Sequence, residues 1–393
     1  MIPSYYEFFN SVKILSGKRA LENIPYELKN LRVKRPIILS DKMLVKIGLV
    51  DHVINAMKGS DIIIGTVYDE IPQDSSVKIV NDIAKIYRSQ NCDSIIAVGG
   101  GSVIDTAKGL NIVISEETDD LMELMGADIL TKKQKPFIVV PTTAGTGSEA
   151  TLVAVIADKE RNVKMEFISH RILPDAAVLD PRMTISLPAK MTAATGMDAL
   201  VHAIEAYTSV QKNPLSDAYA YSAINLIREY LPKVIENGKD ESARLAMANA
   251  SLMAGVSFSN SMVGVIHAIG HALGAISGVP HGIAMTILLP SGMEYNLEKA
   301  ERLYGELLLP LAGPDIYAKT PIEQQPMKAV ETVRNLITFL NEKAGLPVNL
   351  SEIRVMKEDF DKITETALND GALLFNTKEV TREDILNILE KSY

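Results

Sequence analysis

Through the first 180 residues, apolar positions gather in short β-branched runs: PIILS (36–40), DIIIGTVYD (61–69), SIIAVGG (94–100), PFIVVPTT (136–143) and AAVLD (176–180). Between them lie stretches such as SSVKIVNDIAKIYRSQ (75–90), where apolar residues recur at helical spacing and the charges take the other face. Alternation of this kind predicts βαβ units and a mainly parallel sheet. After Pro188 the pattern changes. AKMTAATGMDALVHAIEAYTS, DAYAYSAINLIREYLPKVIENG and ESARLAMANASLMAG are rich in Ala and Leu and lack strand-like runs, which predicts helices. Pro181 and Pro188 mark the change, so the expectation is an α/β domain over 1–185 and an all-α domain over 186–393, with Gly238 as a helix stop. The chain shows no internal repeat and no low-complexity tract.

One stretch stands apart from this pattern. From Leu245 to Met293 there are 49 consecutive residues without Asp, Glu, Lys or Arg. A membrane span needs about 20 predominantly apolar residues, and here Asn249, Ser251, Ser257, Ser259, Asn260 and Ser261 break the apolar windows while three histidines lie inside the stretch. Helices buried in the middle of a globular domain are the better expectation. His267, His271 and His281 fall inside this stretch, where an imidazole must find a hydrogen-bond partner or a metal.

Composition narrows the chemistry further. The 393 residues carry 40 Lys+Arg against 49 Asp+Glu, a net charge of −9, with no basic block, so a duplex nucleic-acid surface is excluded. Cys92 is the only cysteine, which rules out an intramolecular disulfide and thiolate clusters and leaves His and carboxylate as metal ligands. The opening MIPSYYEFFN reads as neither a signal peptide nor a targeting segment, and the expected location is the cytoplasm.

Two strand exits carry candidate cofactor chemistry. GGGSVIDTAKG (99–109) follows a strand and opens a helix; it lacks the third glycine of the dinucleotide fingerprint, since Ile104 stands there. Successive glycines at such a junction still let a ligand approach the backbone, and the helix N-terminus offers N–H groups to an anion. PTTAGTGSEA (141–150) is a second exit, crowded with hydroxyls suited to ribose, phosphate or a nicotinamide carboxamide. Asp41, ending an early strand, is placed to accept from an adenosine ribose and to repel a 2′-phosphate; without the other two loops it reads rather as a turn or helix cap.

The helical half holds the strongest constellation. GMDALVHAIEAY sets Asp198 and His202 four apart on one helix face, HAIGHALGA repeats the spacing with His267 and His271, and His281 follows the GVP turn. These are five candidates for the four ligands of a tetrahedral site, and spacing does not say which one is surplus. His52 and His170 flank charged residues and read as surface positions.

Taken together, GGGSVIDTAK, PTTAGTGSE, GMDALVHAIEAY and HAIGHALGAISGVPHGIAMTILLP resemble the iron-containing alcohol dehydrogenase family over nearly the whole chain, and GALLFNTKEVTREDI is similar to its C-terminal Asn-Pro-Arg region. The resemblance implies a dehydroquinate synthase-like architecture, a nucleotide-binding α/β domain followed by a helical metal-binding domain with the active site in the cleft between them. It puts the metal ligands at Asp198, His202, His267 and His281, and the fifth histidine, His271, near the nicotinamide as a proton relay. It implies cofactor contacts at Asp41, Gly99, Gly100, Gly101, Ser102, Thr142 and Thr143, with Ser148 and Lys164 as additions, and a substrate-pocket aromatic at Phe258. The implied cofactors are NAD and Fe²⁺, with Zn²⁺ suited to the same ligands.

Three positions depart from the family pattern. Val103 replaces a frequent proline beside the glycines, EIPQDSS (70–76) stands where many members carry Pro-Asn-Pro, and Asn376, Thr377 and Lys378 stand for Asn-Pro-Arg. The last change is expected to lie too far from the ligands to matter. The implied reaction is hydride transfer between a primary alcohol or diol and NAD, the cation easing loss of the alcohol proton. Glycerol dehydrogenases, hydroxyacid-oxoacid transhydrogenases and dehydroquinate synthases share the architecture, and a metal- or nucleotide-sensing protein is the non-catalytic alternative. A lyase acting on an acidic, phosphorylated substrate wants cationic side chains, and residues 245–293 contain none, which favours a neutral alcohol. A homodimer or higher homo-oligomer is expected, with VKILSG pairing across a two-fold axis.

Overall fold

The computed structural model describes residues 3–73, 75–118, 120–158, 161 and 163–393. It falls into two units, Phe9–Ser186 and Leu187–Tyr393, the second joined by the segment ending at Phe8, whose ring stacks on Tyr219 at 5.8 Å.

The first unit runs β1 (Lys13–Ser16), α1 (Ile24–Asn30), β2 (Pro36–Leu39), α2 (Lys42–Lys46), α3 (Leu49–Ala56), β3 (Thr66–Tyr68), α4 (Val77–Ser89), β4 (Ser94–Gly99), α5 (Gly101–Glu116), β5 (Gly126–Ala127), β6 (Phe137–Pro141), β7 (Val153–Asp158), β8 (Val163–Ile168), β9 (Ala176–Leu179). Six strands form a sheet in the order β1-β9-β6-β4-β2-β3, every neighbouring pair parallel. Along β4, Ile95 and Ala97 face Val80 and Ile83 of α4 and Ile104 and Ala107 of α5, while Ile96 and Val98 face Leu28, Val50 and Val53 on the other side. Helices thus cover both faces, and this is why the central strands read as unbroken apolar runs. Gly99 lies opposite Pro141 in the ladder, so β4 and β6 leave the sheet side by side at their carboxyl ends, the usual edge for nucleotide loops in such sheets.

Two features differ from the sequence expectation, and a third, strand β1, adds to it. DIIIGTVYD yields only the three-residue edge strand β3: Ile62 and Ile64 pack on the core from irregular backbone before the ladder begins. A second sheet, β5-β8-β7, joins β5, which precedes β6, to the antiparallel pair β7 and β8 that follows the loop after β6. VKILSG forms β1, which pairs with β9 of its own chain, Lys13 opposite Ala176.

The second unit comprises α6 (Ala189–Thr208), α7 (Pro214–Glu236), α8 (Glu241–Ser259), α9 (Val265–Ser277), α10 (His281–Ala312), α11 (Pro314–Lys319), α12 (Gln325–Ala344), α13 (Phe360–Leu368) and α14 (Arg382–Lys391), with no strand among the described residues. The uncharged stretch forms all of α8 after its first turn, all of α9 and the start of α10. Ala250, Ala254, Val265, Ile269, Leu273, Ala284 and Leu288 are fully buried there. Among the described residues no helix is long and apolar enough to cross a membrane.

Candidate metal centre and cofactor loops

Four side chains from three helices meet in the second unit. Asp198 and His202 project from one face of α6, His267 comes from the first turn of α9, and His281 is the first residue of α10. One donor atom from each lies within 4.8 Å of the others. Asp198 Oδ1 is 3.2 Å from His281 Nε2 and 3.9 Å from His202 Nδ1. The imidazoles crowd together, with His202 and His267 ring centres 4.5 Å apart and His267 and His281 5.5 Å apart. Asp198, His202 and His267 are buried, while the His281 side chain keeps 39% of its surface, so the cluster opens on that side. An open side distinguishes catalytic metal sites from closed structural ones.

Electrostatics suit a cation. Burial holds the His202 ring neutral, down at about 3, and drives His267 well below its ordinary value. Burial opposes ionisation of Asp198, yet the His202 and His281 rings beside it outweigh that and keep its carboxyl below the usual range. Neutral imidazoles and an ionised carboxylate are the ligand forms a divalent metal requires. Among the described residues, Asp198 Oδ1, His202 Nδ1 and His267 Nε2 are buried without a hydrogen-bond partner. Three orphaned donors aimed at one point are costly unless an ion shares them, so the residues present fit a metal.

The surplus histidine is His271. Its side chain is 43% exposed, it stacks on His281 at 5.6 Å, and its Nδ1 is 2.8 Å from Asp370 Oδ2. Phe258 of α8 lies flat on His202 with ring centres 4.3 Å apart. His52 and His170 are exposed.

In the first unit the two strand exits interlock. A Cβ on Gly100 would meet Thr143 Oγ1 at 3.2 Å, and one on Gly101 would meet Thr146 Cγ2 at 3.1 Å, so a side chain at either position would press the two loops apart by a few tenths of an ångström. The Thr142 amide donates to Gly99 O at 3.1 Å, and the Thr142 side chain is buried. Gly100, Gly101, Ser102 and Thr143 remain half-buried, an accessible strip at the N-terminus of α5. Ser102 donates to the Gln73 carbonyl and Thr106 to Ser75 Oγ at 2.9 Å, tying the 70–76 segment to the glycine loop, although Asp74 lies outside the described residues. Asp41 caps α2, its Oδ1 accepting from Leu44 N at 2.9 Å. Ser148 is buried and donates to Asp105 Oδ1 at 2.8 Å, and Lys164 is exposed on β8 opposite Ala157 in the small sheet.

Comparison with known proteins agrees with this geometry. The profile described as iron-containing alcohol dehydrogenase matches residues 11–181, and that of the Fe-containing alcohol dehydrogenase family, C-terminal, matches residues 192–393. The chain belongs to the iron-containing alcohol dehydrogenase family. It is similar to the NAD-dependent methanol dehydrogenase of Bacillus methanolicus, 34% identical over 388 residues, covering 98% of this chain and 99% of that one. It is 34% identical over 390 residues to an NADPH-dependent butanol dehydrogenase of Clostridium saccharobutylicum, covering 97% and 96%. Among solved structures, a 1,3-propanediol oxidoreductase superposes with a TM-score of 0.94 at 33% identity, covering 99% of this chain and 100% of that one.

Within this alcohol dehydrogenase family member, two site residues went unseen in the sequence and a third was placed wrongly. Glu205 Oε2 is 2.6 Å from His267 Nδ1, and Asp370 holds His271. Asn376, expected to be remote, instead accepts from Val265 N at 3.2 Å with Oδ1, on the helix that carries His267. That expectation is corrected: the closing segment folds back onto the ligand helix. For Glu205 a signal was available, since it falls seven residues after Asp198 on the same face of α6.

Proposed function

We propose that this protein transfers hydride between a small primary alcohol or diol and NAD⁺, and in reverse between the aldehyde and NADH, using one divalent metal ion held by Asp198, His202, His267 and His281. The observation that carries this reading is the convergence of four donors within 4.8 Å, three of them buried and without another partner among the described residues. When bound, the cation supplies Lewis acidity toward the alcohol oxygen, and the nicotinamide accepts the hydride.

The chain's own residues do the rest. Gly99, Gly100, Gly101 and Ser102 present backbone N–H groups to the pyrophosphate at the start of α5, and Thr142 and Thr143 serve the nicotinamide half. Ser148 acts through Asp105, by its 2.8 Å hydrogen bond, as a brace of the loop, and Lys164 is a weaker cofactor contact. His271 donates from Nδ1 to Asp370, which leaves Nε2 to take up and pass on the alcohol proton. Phe258, against His202, forms an apolar wall for the substrate carbon chain.

The resident metal is Fe²⁺ by this reading, since the family profiles name iron, and Zn²⁺ suits the same donors. Asp41 at the end of β2 favours NAD over NADP, because its carboxylate repels a 2′-phosphate. The relative that uses NADPH makes this a choice within the family. We place the protein in the cytoplasm as a homodimer or higher homo-oligomer. β1 is an edge strand with one neighbour among the described residues, open to pair with a second copy; light scattering that returns the mass of one chain would refute this.

The decisive assay follows reduced-nicotinamide absorbance over a panel of primary alcohols, 1,3-propanediol and glycerol, with NAD⁺ and NADP⁺, on anaerobically purified protein whose metal is measured by elemental analysis. Steady turnover that chelator dialysis removes and Fe²⁺ restores is expected, with iron the predominant metal and the higher kcat/KM on NAD⁺. Full activity after dialysis would refute the metal reading, and higher efficiency with NADP⁺ would overturn the role of Asp41.

A further inference from the structure

Helix α9 begins without a cap of its own. Gly264 at its N-cap has no side chain to accept the free N–H groups of the first turn. Two distant residues do so instead. Glu205 Oε1, from α6, accepts from Ile266 N at 2.7 Å, and Asn376 Oδ1 accepts from Val265 N at 3.2 Å. Asn376 is itself fixed by a reciprocal amide pair with Asn296, at 3.0 and 2.9 Å, and donates to Lys378 O at 2.7 Å. A Cβ at Gly264 would fall 2.8 Å from Asn376 Oδ1 and 3.2 Å from Glu205 Oε1, so the clamp closes only over glycine.

The second oxygen of the same carboxylate, Glu205 Oε2, is 2.6 Å from His267 Nδ1, and both side chains are 3% exposed. An acceptor-only carboxylate at that distance places the ring proton on Nδ1 and leaves the Nε2 lone pair bare. His267 Nε2 is the buried atom without a partner among the described residues, and it points into the cluster with Asp198. The helix N-terminus, with its partial positive charge, makes a carboxylate favourable at this place.

We infer that Glu205, clamped with Asn376 onto the first turn of α9, is a positioning residue that turns His267 Nε2 toward a divalent cation and sets how tightly that cation is held. This rests on the metal reading of Asp198, His202, His267 and His281. A carboxylate behind a ligating imidazole fixes its tautomer and ring orientation and raises its basicity.

The test measures the dissociation constant of Zn²⁺ on the full metal-free chain by competition with a chromophoric chelator, in wild type, Glu205→Gln, Asn376→Ala and His267→Ala. In Glu205→Gln the amide NH₂ must face either His267 Nδ1 or Ile266 N, a donor against a donor in either pose that loosens the clamp, and the Zn²⁺ constant is expected to rise by about 10- to 100-fold, with NAD⁺ binding unchanged. Asn376→Ala is expected to shift it in the same direction by less. Co²⁺ added to Glu205→Gln should give visible absorption bands displaced from those of wild type, a ligand-field change that a merely structural cap would not produce. A Zn²⁺ constant within twofold of wild type in Glu205→Gln overturns the inference, and should that variant not fold, the same result in Asn376→Ala does so. Where His267→Ala loses Zn²⁺ and Glu205→Gln keeps it, only the role of Glu205 falls. Where His267→Ala holds Zn²⁺ as wild type does, the metal reading itself falls.

Discussion

Replacing His267 with alanine is expected to abolish both metal retention and turnover. The change deletes a buried donor whose Nε2 has no other partner among the described residues, and it strips Glu205 of the imidazole 2.6 Å from its carboxylate. Burial pushes the Glu205 carboxyl up to about 7, and the amides at the start of α9 pull the other way. Without the ring, that group meets a cavity. A fall in kcat/KM of at least about 1000-fold is expected, equivalent to about 4 kcal/mol of transition-state stabilisation. Metal content drops in parallel, while NAD⁺ affinity stays within about twofold, since the glycine and threonine loops belong to the other unit. Equilibrium dialysis with NAD⁺ and elemental analysis of the same sample check both halves. His52→Ala, at an exposed histidine, is the control expected to keep wild-type activity.

Lys108→Met is expected to produce the largest loss of stability in the cofactor unit. The Lys108 ammonium is fully buried and donates to Thr151 O and Val153 O, each at 2.7 Å, and to Thr151 Oγ1 at 3.0 Å. Its pKa is pushed down to about 8 by burial, so it is still mostly charged at neutral pH. Asp105, one turn earlier on α5, is half-buried and accepts from Ser148 Oγ at 2.8 Å and Val155 N at 3.1 Å. These bonds pin the helix behind the glycine loop to the end of the hydroxyl-rich loop and the start of β7. Methionine fills similar volume but leaves two carbonyls unsatisfied and the Asp105 charge without its nearby cation. A cost of about 3–5 kcal/mol is expected, read as a fall in the urea midpoint of the α/β unit. Because the loops lose their common anchor, KM for NAD⁺ should rise more than kcat falls. An unchanged midpoint with an unchanged KM would show that the cluster anchors nothing.

Much of this was legible along the chain because the deciding signals are local. Asp198 with His202 and His267 with His271 are i, i+4 pairs, and a single helical turn brings each pair to one face. The central strands could be read because burial on both faces leaves no polar position to break the run. What escaped detection depends on distant partners. Glu205 shares the Asp198 face of α6, but its partner His267 lies 62 residues on; Asp370 meets His271 across 99 and Asn376 meets Val265 across 111, and no spacing rule pairs residues that far apart. Lys108 carried no mark of its own, since a lysine in a helix normally faces water and only the packing of β7 on α5 encloses it. The β7 and β8 hairpin is a different case. Ala154 and Ile156 face inward while Val155 faces out, an alternation visible in the sequence but overshadowed by the hydroxyl-rich loop that precedes it.

The 49-residue run without charge also bears on how the chain is made. Helices α9 and α10 pack against α13 and α12, which come later in the sequence. A nascent or truncated chain ending before residue 325 therefore presents an uncovered apolar surface that carries no repelling charge. Such surfaces self-associate at micromolar concentration. Expression yield should thus depend on slow translation or chaperone supply, and C-terminal deletions should appear in inclusion bodies even when Asp198, His202, His267 and His281 are all retained.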